Sequence, residues 1–282
     1  MPEGPEVATV ADKLKPKLFD KIITSAYKGE RGTFVGFENL KFPSRIIGVR
    51  SHGKKLLIDI EYGGEGFMII ISLGMSGRLQ YNQGNHSHIH FSIGEYQVVG
   101  MFQVLRPSLV LYFDDQRYMG GVNLIPNAGI PFYFRNIGPD LLQAALDEKT
   151  YITLEHWRII FNPKKVQKWT VRKALMDQSL VASIGNYIVS EVLYYAMICP
   201  ERIVSTLTDE EWDRLRIVAH KILFVSYSYG GFTIKDFISP DMTKGMYPAA
   251  VYGRKTDPYG NPVVKVKAKD GRTSHWVPAI QH

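Results

Sequence analysis

The sequence predicts an α+β protein whose strands and helices occupy separate halves, and three observations carry that reading. Between about residues 20 and 125, short apolar or alternating runs are closed by Gly, Asn and Asp clusters. From about Thr150 the apolar spacing changes to three and four residues. Near the C-terminus alternation returns in a single hairpin pattern. With 282 residues and 45% apolar content the chain can bury a sizeable core, in two compact domains or one with an appendage.

The elements follow in order. Pro5 opens an amphipathic helix in which Val7, Val10, Ala11 and Leu14 share one face, and Pro16 is expected to end it. Strands are expected at 46–49, 55–60, 67–73, 88–93 and 108–113, together forming a sandwich or barrel. A helix begins near Gly185 with Ile188, Val192 and Tyr195 on one face. Thr208-Asp-Glu-Glu211 is a capping box for another, with Leu215, Ala219 and Ile222 turned inward. After Gly230-Gly231 the pattern loosens. Val264 and Val266 then alternate with Lys265 and Lys267, and Lys269-Asp-Gly-Arg272 reads as the hairpin turn.

The formal charge of +7 suits a polyanionic partner without requiring one. Cys199 is the only cysteine, so no intramolecular disulfide can form, which fits a reducing compartment. The N-terminus lacks the apolar core of a secretory signal. The strongest apolar run, 67–73, is far shorter than the roughly 20 residues of a spanning helix. The expectation is a soluble intracellular protein, of cytoplasm or nucleus, with a virus-encoded origin left open and no membrane partner.

Three segments carry chemistry. In Met1-Pro2-Glu3-Gly4-Pro5-Glu6, a small second residue has a bland explanation, since it permits removal of the initiator Met. A trimmed Pro2 would also present a secondary amine that is partly neutral near pH 7. Its attack on a sugar C1′ gives an iminium directly, and Glu3 could supply the proton that opens the ribose. Arg50-Ser-His-Gly-Lys54-Lys is either a solvated strand edge or a phosphate clamp built on Lys54. Gly185-Asn186 is either an ordinary helix cap or the phosphate-gripping start of a helix.

Taken in order, these segments resemble the formamidopyrimidine-DNA glycosylase/endonuclease VIII family across nearly the whole chain. Pro2-Glu-Gly-Pro-Glu-Val is similar to its N-terminal motif. Leu73-Gly-Met-Ser-Gly77, His86-Ser-His88, Asp115-Gln-Arg117-Tyr-Met119-Gly120 and Ile137-Gly-Pro-Asp-Leu141 are similar to later ones. So are Asp177-Gln178 through Gly185-Asn186, the stretch 230–237, and Val251-Tyr-Gly-Arg254. The resemblance implies an N-terminal β-sandwich catalytic domain (1–135), a helix–two-turn–helix DNA-binding domain (150–245) and a finger hairpin (246–282). It implies a bifunctional DNA glycosylase and abasic-site lyase of base excision repair, acting as a monomer on double-stranded DNA that contains oxidised bases or abasic sites. Pro2 would be the Schiff-base nucleophile, Glu3 the general acid, Lys54 a phosphate contact that assists elimination, and Asn186 a backbone grip. Glu6 and His86 would be further DNA contacts, while Met75, Arg117 and Met119 would enter the duplex beside the flipped nucleotide.

One departure is large. Typical members end in a four-cysteine zinc finger, where this sequence has Tyr259, Pro262, Val277 and Ile280. It therefore resembles the zincless-finger branch, with no metal and no cofactor expected. Packing of Val264, Val266, Trp276 and Val277 would replace the metal, and Arg272 would be a phosphate grip and second elimination helper. Formamidopyrimidines and hydantoins are the expected lesions, with 8-oxoguanine and oxidised pyrimidines open. A non-catalytic damaged-DNA sensor on the same fold is the main rival. A basic RNA- or ribosome-binding protein explains the charge but not the N-terminus. A metal site on His86, His88 and His90 would need one shared strand face, and nearby carboxylates are sparse.

Overall fold

The computed structural model describes residues 1–233, 239–268 and 270–282. The motif 230–237 and the turn residue Lys269 therefore lie partly or wholly outside the described residues. The chain forms two compact units. A β unit comprises Met1–Pro2, Glu6–Arg135 and Thr233–Gly245; a helical unit comprises Glu3–Pro5, Asn136–Phe232 and Met246–His282.

The β unit opens with helix α1 (Gly4–Leu18), whose Val7, Val10, Ala11, Leu14 and Leu18 are buried. The helix does not stop at Pro16 as the sequence suggests. The proline removes one N–H, but burial of Leu18 holds the last turn in place. Nine strands follow: β1 (Ile22–Lys28), β2 (Phe34–Val35), β3 (Ser44–His52), β4 (Lys55–Tyr62), β5 (Glu65–Ser72), β6 (Arg78–Gln80), β7 (Ser87–Val99), β8 (Phe102–Asp114) and β9 (Gly121–Pro126). They form one sheet in the order β2-β9-β5-β4-β3-β1-β7-β8-β6.

In a flat sheet, β2 and β7 would stand roughly 29 Å apart, six spacings of about 4.8 Å. Yet the rings of Phe34 on β2 and Phe91 on β7 lie 5.9 Å apart, centroid to centroid. The sheet thus folds over on itself, and both layers pack on one core that includes the inner face of α1. This is the expected sandwich. A second cluster covers the opposite face of β4 and β5, where Leu57, Met68 and Ile70 meet Tyr133 and Phe134 of α2 (Ile130–Phe134). Segment 239–245 joins this unit through the Lys13 ammonium, which donates to Ser239 (3.1 Å) and Asp241 (2.9 Å).

The helical unit contains α3 (Leu141–Leu146), α4 (Leu154–Phe161), α5 (Val171–Met176), α6 (Asn186–Tyr195) and α7 (Asp209–Ser228), then a hairpin of β10 (Val264–Lys267) and β11 (Thr273–Trp276). The Thr208–Glu211 capping box forms, and Leu215, Ala219 and Ile222 are buried. On α6, Ile188 and Val192 point inward as expected, but Tyr195 is exposed. Tyr194 takes the inward place because its hydroxyl donates to Asp257 (3.1 Å).

The finger departs from expectation in how it is held. Val264 and Val266 are 36% and 43% exposed, so the hairpin strands contribute little core. Packing lies at the base, where Val277 joins Tyr194, Ala250 and Val251, with Val263 and Ile280 at the edge. Residues at the positions of the family's zinc ligands do not fit a metal: Val277 is buried among apolar groups and Tyr259 points into solvent. Among the described residues no group of His, Cys, Asp and Glu could hold an ion.

Two polar hubs stand near those positions instead. Asp257 accepts the N–H groups of Tyr259 (2.9 Å) and Asn261 (2.8 Å) and the Asn261 amide (2.9 Å). Burial opposes ionisation of Asp257, yet these donors and Tyr194 hold its carboxyl below the usual carboxylate range. Gln281 accepts from the Val277 N–H (2.7 Å) and donates to the Ile198 carbonyl (2.9 Å).

Candidate active site

Within the helical unit, the N-terminal motif meets the Gly185-Asn186 motif. Helix α6 has no side-chain cap of its own, because Gly185 stands at its N-cap. The Glu3 carboxylate fills that role, accepting from the N–H of Tyr187 (2.9 Å) and Ile188 (3.3 Å). A Cβ on residue 185 would collide with that carboxyl, so glycine is required here by close approach. The Gly4 N–H donates to the Ser183 carbonyl (3.0 Å) and secures the same junction. Ser183 in turn donates through its hydroxyl to Asp140 (2.5 Å), which caps α3 through the Leu142 N–H (3.0 Å).

Asn186 follows immediately and is half-buried. Its carboxamide oxygen accepts from Arg172 (2.8 Å), and its amide donates to the Thr273 carbonyl on β11 (3.0 Å). Arg272 is exposed in the hairpin turn, with its N–H on the Asp270 carboxylate (3.0 Å). The structure therefore brings Glu3 to the start of α6 and links Asn186 to the hairpin that carries Arg272.

The remaining predicted residues fall in the β unit. Pro2 is buried, and its nitrogen is acylated by Met1 in this chain. Glu6, like Pro2 and Glu3, is buried, and has no exposed surface. Lys54 sits with Gly53 in the two-residue turn between β3 and β4. Gly53 (φ 58°) supplies the positive φ required at the first turn position. The neighbouring Lys55 points the other way, donates to Ser72 (2.5 Å), and has its pKa lowered by burial.

Two loops form one exposed ridge. Gly74 (φ 63°) brings the loop of Met75 so close to Met119 and Gly120 that an added Cβ would stand 2.6 Å from the Gly120 nitrogen. Asp115, wholly buried, closes both loops: it accepts from Ser76 (2.6 Å), the Arg117 N–H (3.2 Å) and the Gly120 N–H (2.7 Å). Met75 (38% exposed) and Met119 (58%) stand out from this base, beside exposed Arg117.

The histidines do not share a face. His86 precedes β7, whose register shifts between Ser87 and Ile89. The ring of His88 is buried against Phe113 and Tyr118, and that of His90 stacks on Tyr27. His86 is half-buried, and its carbonyl accepts from the Asp115 N–H (3.2 Å).

Comparison with known proteins places the whole chain within one family. Residues 1–122 match the formamidopyrimidine-DNA glycosylase N-terminal domain, 139–238 its H2TH domain and 241–282 its C-terminal domain. The formamidopyrimidine-DNA glycosylase of Lactococcus lactis is 30% identical over 298 residues, covering 100% of this chain and 99% of that protein. The chain belongs to the formamidopyrimidine-DNA glycosylase family.

A second member of that family, from Thermomicrobium roseum, is 28% identical over 93% of this chain and 90% of its own. The crystal structure of the MutM (Fpg) protein from Thermus thermophilus superposes with a TM-score of 0.82 at 26% identity, covering 99% of this chain and 98% of that one. The complex between the Lactococcus lactis Fpg and an abasic site containing DNA gives 0.81 at 27% identity, with both chains fully covered. This family member is a DNA glycosylase of base excision repair.

Three residues of this glycosylase received no role from the sequence: Asp115, quoted only as the start of a motif, Arg172 and Glu191. Each is charged and buried, and each sits between residues already singled out. A carboxylate two residues before Arg117 was a readable hint of a loop-closing turn. For Arg172 and Glu191 no local signal existed, because their partners lie far along the chain.

Proposed function

We propose that this glycosylase is bifunctional: it removes oxidised bases from double-stranded DNA and then cleaves the strand at the abasic site. The supporting observation is the docking of Glu3 on the start of α6, which fixes the residue next to Pro2 against the helix that begins with Asn186. Once Met1 is removed, the Pro2 nitrogen is a secondary amine. It attacks C1′, the damaged base departs with the glycosidic electron pair, and a proton from Glu3 opens the ribose ring to an iminium. Loss of a C2′ proton then expels the 3′ phosphate, and a second elimination expels the 5′ phosphate. Lys54 and Arg272 neutralise the phosphates as they leave, and water releases the sugar fragment from Pro2.

Asn186 holds the backbone beside the lesion, and His86 is a further contact. Met75, Arg117 and Met119 fill the space left by the flipped nucleotide. The relatives solved with Fapy-dG-containing and abasic-site-containing DNA favour this substrate class. Formamidopyrimidines and hydantoins are the lesions proposed; parallel excision assays that include 8-oxoguanine and thymine glycol would rank them.

Borohydride trapping tests the reading. Met-trimmed protein incubated with abasic-site duplex is expected to yield a covalent complex on reduction. Pro2→Glu, whose bulky second residue also preserves Met1, should leave none. Trimmed protein that binds the duplex but never traps would instead be a non-catalytic damage sensor.

A further inference from the structure

Arg172, in the first turn of α5, is a buried cation that the proposed chemistry leaves unused. Its side chain is 4% exposed. One terminal nitrogen donates to the Asn186 carboxamide oxygen (2.8 Å) and the other to Asp270 (3.2 Å). Its Nε is also buried and finds no partner among the described residues. Burying a guanidinium with an unsatisfied N–H is unfavourable, and an apolar side chain of similar length would pack there at lower cost. Stability alone therefore does not account for an arginine here.

The geometry it imposes does. A carboxamide can turn either its oxygen or its amide outward. A phosphate accepts hydrogen bonds only, so the amide must face it. The Arg172 donor holds the oxygen inward, and the Thr273 carbonyl takes just one of the two amide hydrogens. The second amide hydrogen is then directed by that lock. Through Asp270, which also receives the Arg272 N–H (3.0 Å), the same guanidinium ties the start of α6 to the hairpin turn.

We propose that Arg172 is a positioning residue for DNA binding: it fixes the flip of the Asn186 carboxamide, so that its amide faces the backbone phosphate, and couples Asn186 to the turn bearing Arg272. The inference rests on Asn186 being a phosphate contact. It is distinct from a direct phosphate contact by Arg172, which burial prevents.

A double-mutant cycle on full-length protein tests it, with duplex carrying a tetrahydrofuran abasic analogue as the probe and affinity measured across a salt series. Asn186→Ala and Arg172→Met are each expected to weaken binding by roughly 10-fold, and the double variant by no more than either alone. The slope of log affinity against log salt should be unchanged by Arg172→Met, because a buried side chain displaces no counterion; a direct contact would lower it by about one. Additive losses, or a reduced slope, would overturn the positioning role. Wild-type affinity in Asn186→Ala would instead remove the underlying reading of Asn186. Should Arg172→Met melt before the assay temperature, Arg172→Lys keeps the charge but cannot span Asn186 and Asp270 together, and it is read by the same two criteria.

Discussion

The ridge of the β unit and the hairpin of the helical unit are each expected to touch DNA, and each is anchored by buried carboxylates, but over different distances. Asp115 accepts only from its own loop and from Ser76 on the neighbouring one. Glu191, on α6, accepts the N–H groups of Ala250 (2.7 Å), Val251 (3.0 Å) and Tyr252 (2.8 Å), some 60 residues on. Burial is the larger influence on Glu191 and pushes its pKa up against those donors. Asp115 shapes a loop tip; Glu191 joins two segments that chain connectivity would let drift. The hairpin accordingly has its strength at the base and little along its strands, whereas the ridge has its fixed point directly beneath the exposed side chains.

The largest effect should come from Glu191→Ala. It strands three backbone donors in a dry site and is expected to lower unfolding free energy by about 3–5 kcal/mol, read from urea denaturation. A loss below about 1 kcal/mol would mean that the finger base is held by apolar packing alone. Asp115→Ala removes the acceptor for two backbone N–H groups and a hydroxyl and should cost about 2–3 kcal/mol. Its affinity for abasic duplex should fall further than that of Glu191→Ala when both are compared at equal folded fraction, since the ridge itself is loosened. The smallest effect belongs to the double variant Val264→Ser with Val266→Ser, expected within about 0.5 kcal/mol of the parent by thermal melting. A loss of several kcal/mol would restore strand packing as the substitute for the metal.

The architecture was largely legible in the sequence because its determinants are local. Alternation marked β3, β4, β5, β7 and β8, and Thr208 with Glu211 marked the start of α7. The unrecognised strands have physical reasons. β2 and β6 are too short for periodicity to register, β1 carries Thr, Ser and Lys among its apolar residues, and β9 (Gly-Val-Asn-Leu-Ile-Pro) carries Gly, Asn and Pro, which read as turn residues. The site was legible as a set of residues but not as a geometry. Pro2-Glu3 and Gly185-Asn186 each stood out separately, while nothing in either motif indicates that Glu3 caps α6. The glycine is explained only by the carboxylate that lies against it. The finger was misjudged for a related reason. Alternating Val and Lys signals a two-faced strand, and a two-stranded ribbon has no second layer to cover its apolar face.

The cap that Glu3 places on α6 also has a consequence for synthesis on the ribosome. The carboxylate and its first N–H partner are 184 residues apart. A nascent chain can bury the inner face of α1 against the sheet once the strands have emerged, but its opening residues must wait until α6 leaves the exit tunnel. At about 5–20 residues per second that interval is on the order of ten seconds or more. For that time the segment bearing Pro2, the proposed nucleophile, stays open to the enzymes that trim initiator methionine. Maturation and final closure of the N-terminus are thereby ordered in time by chain length alone.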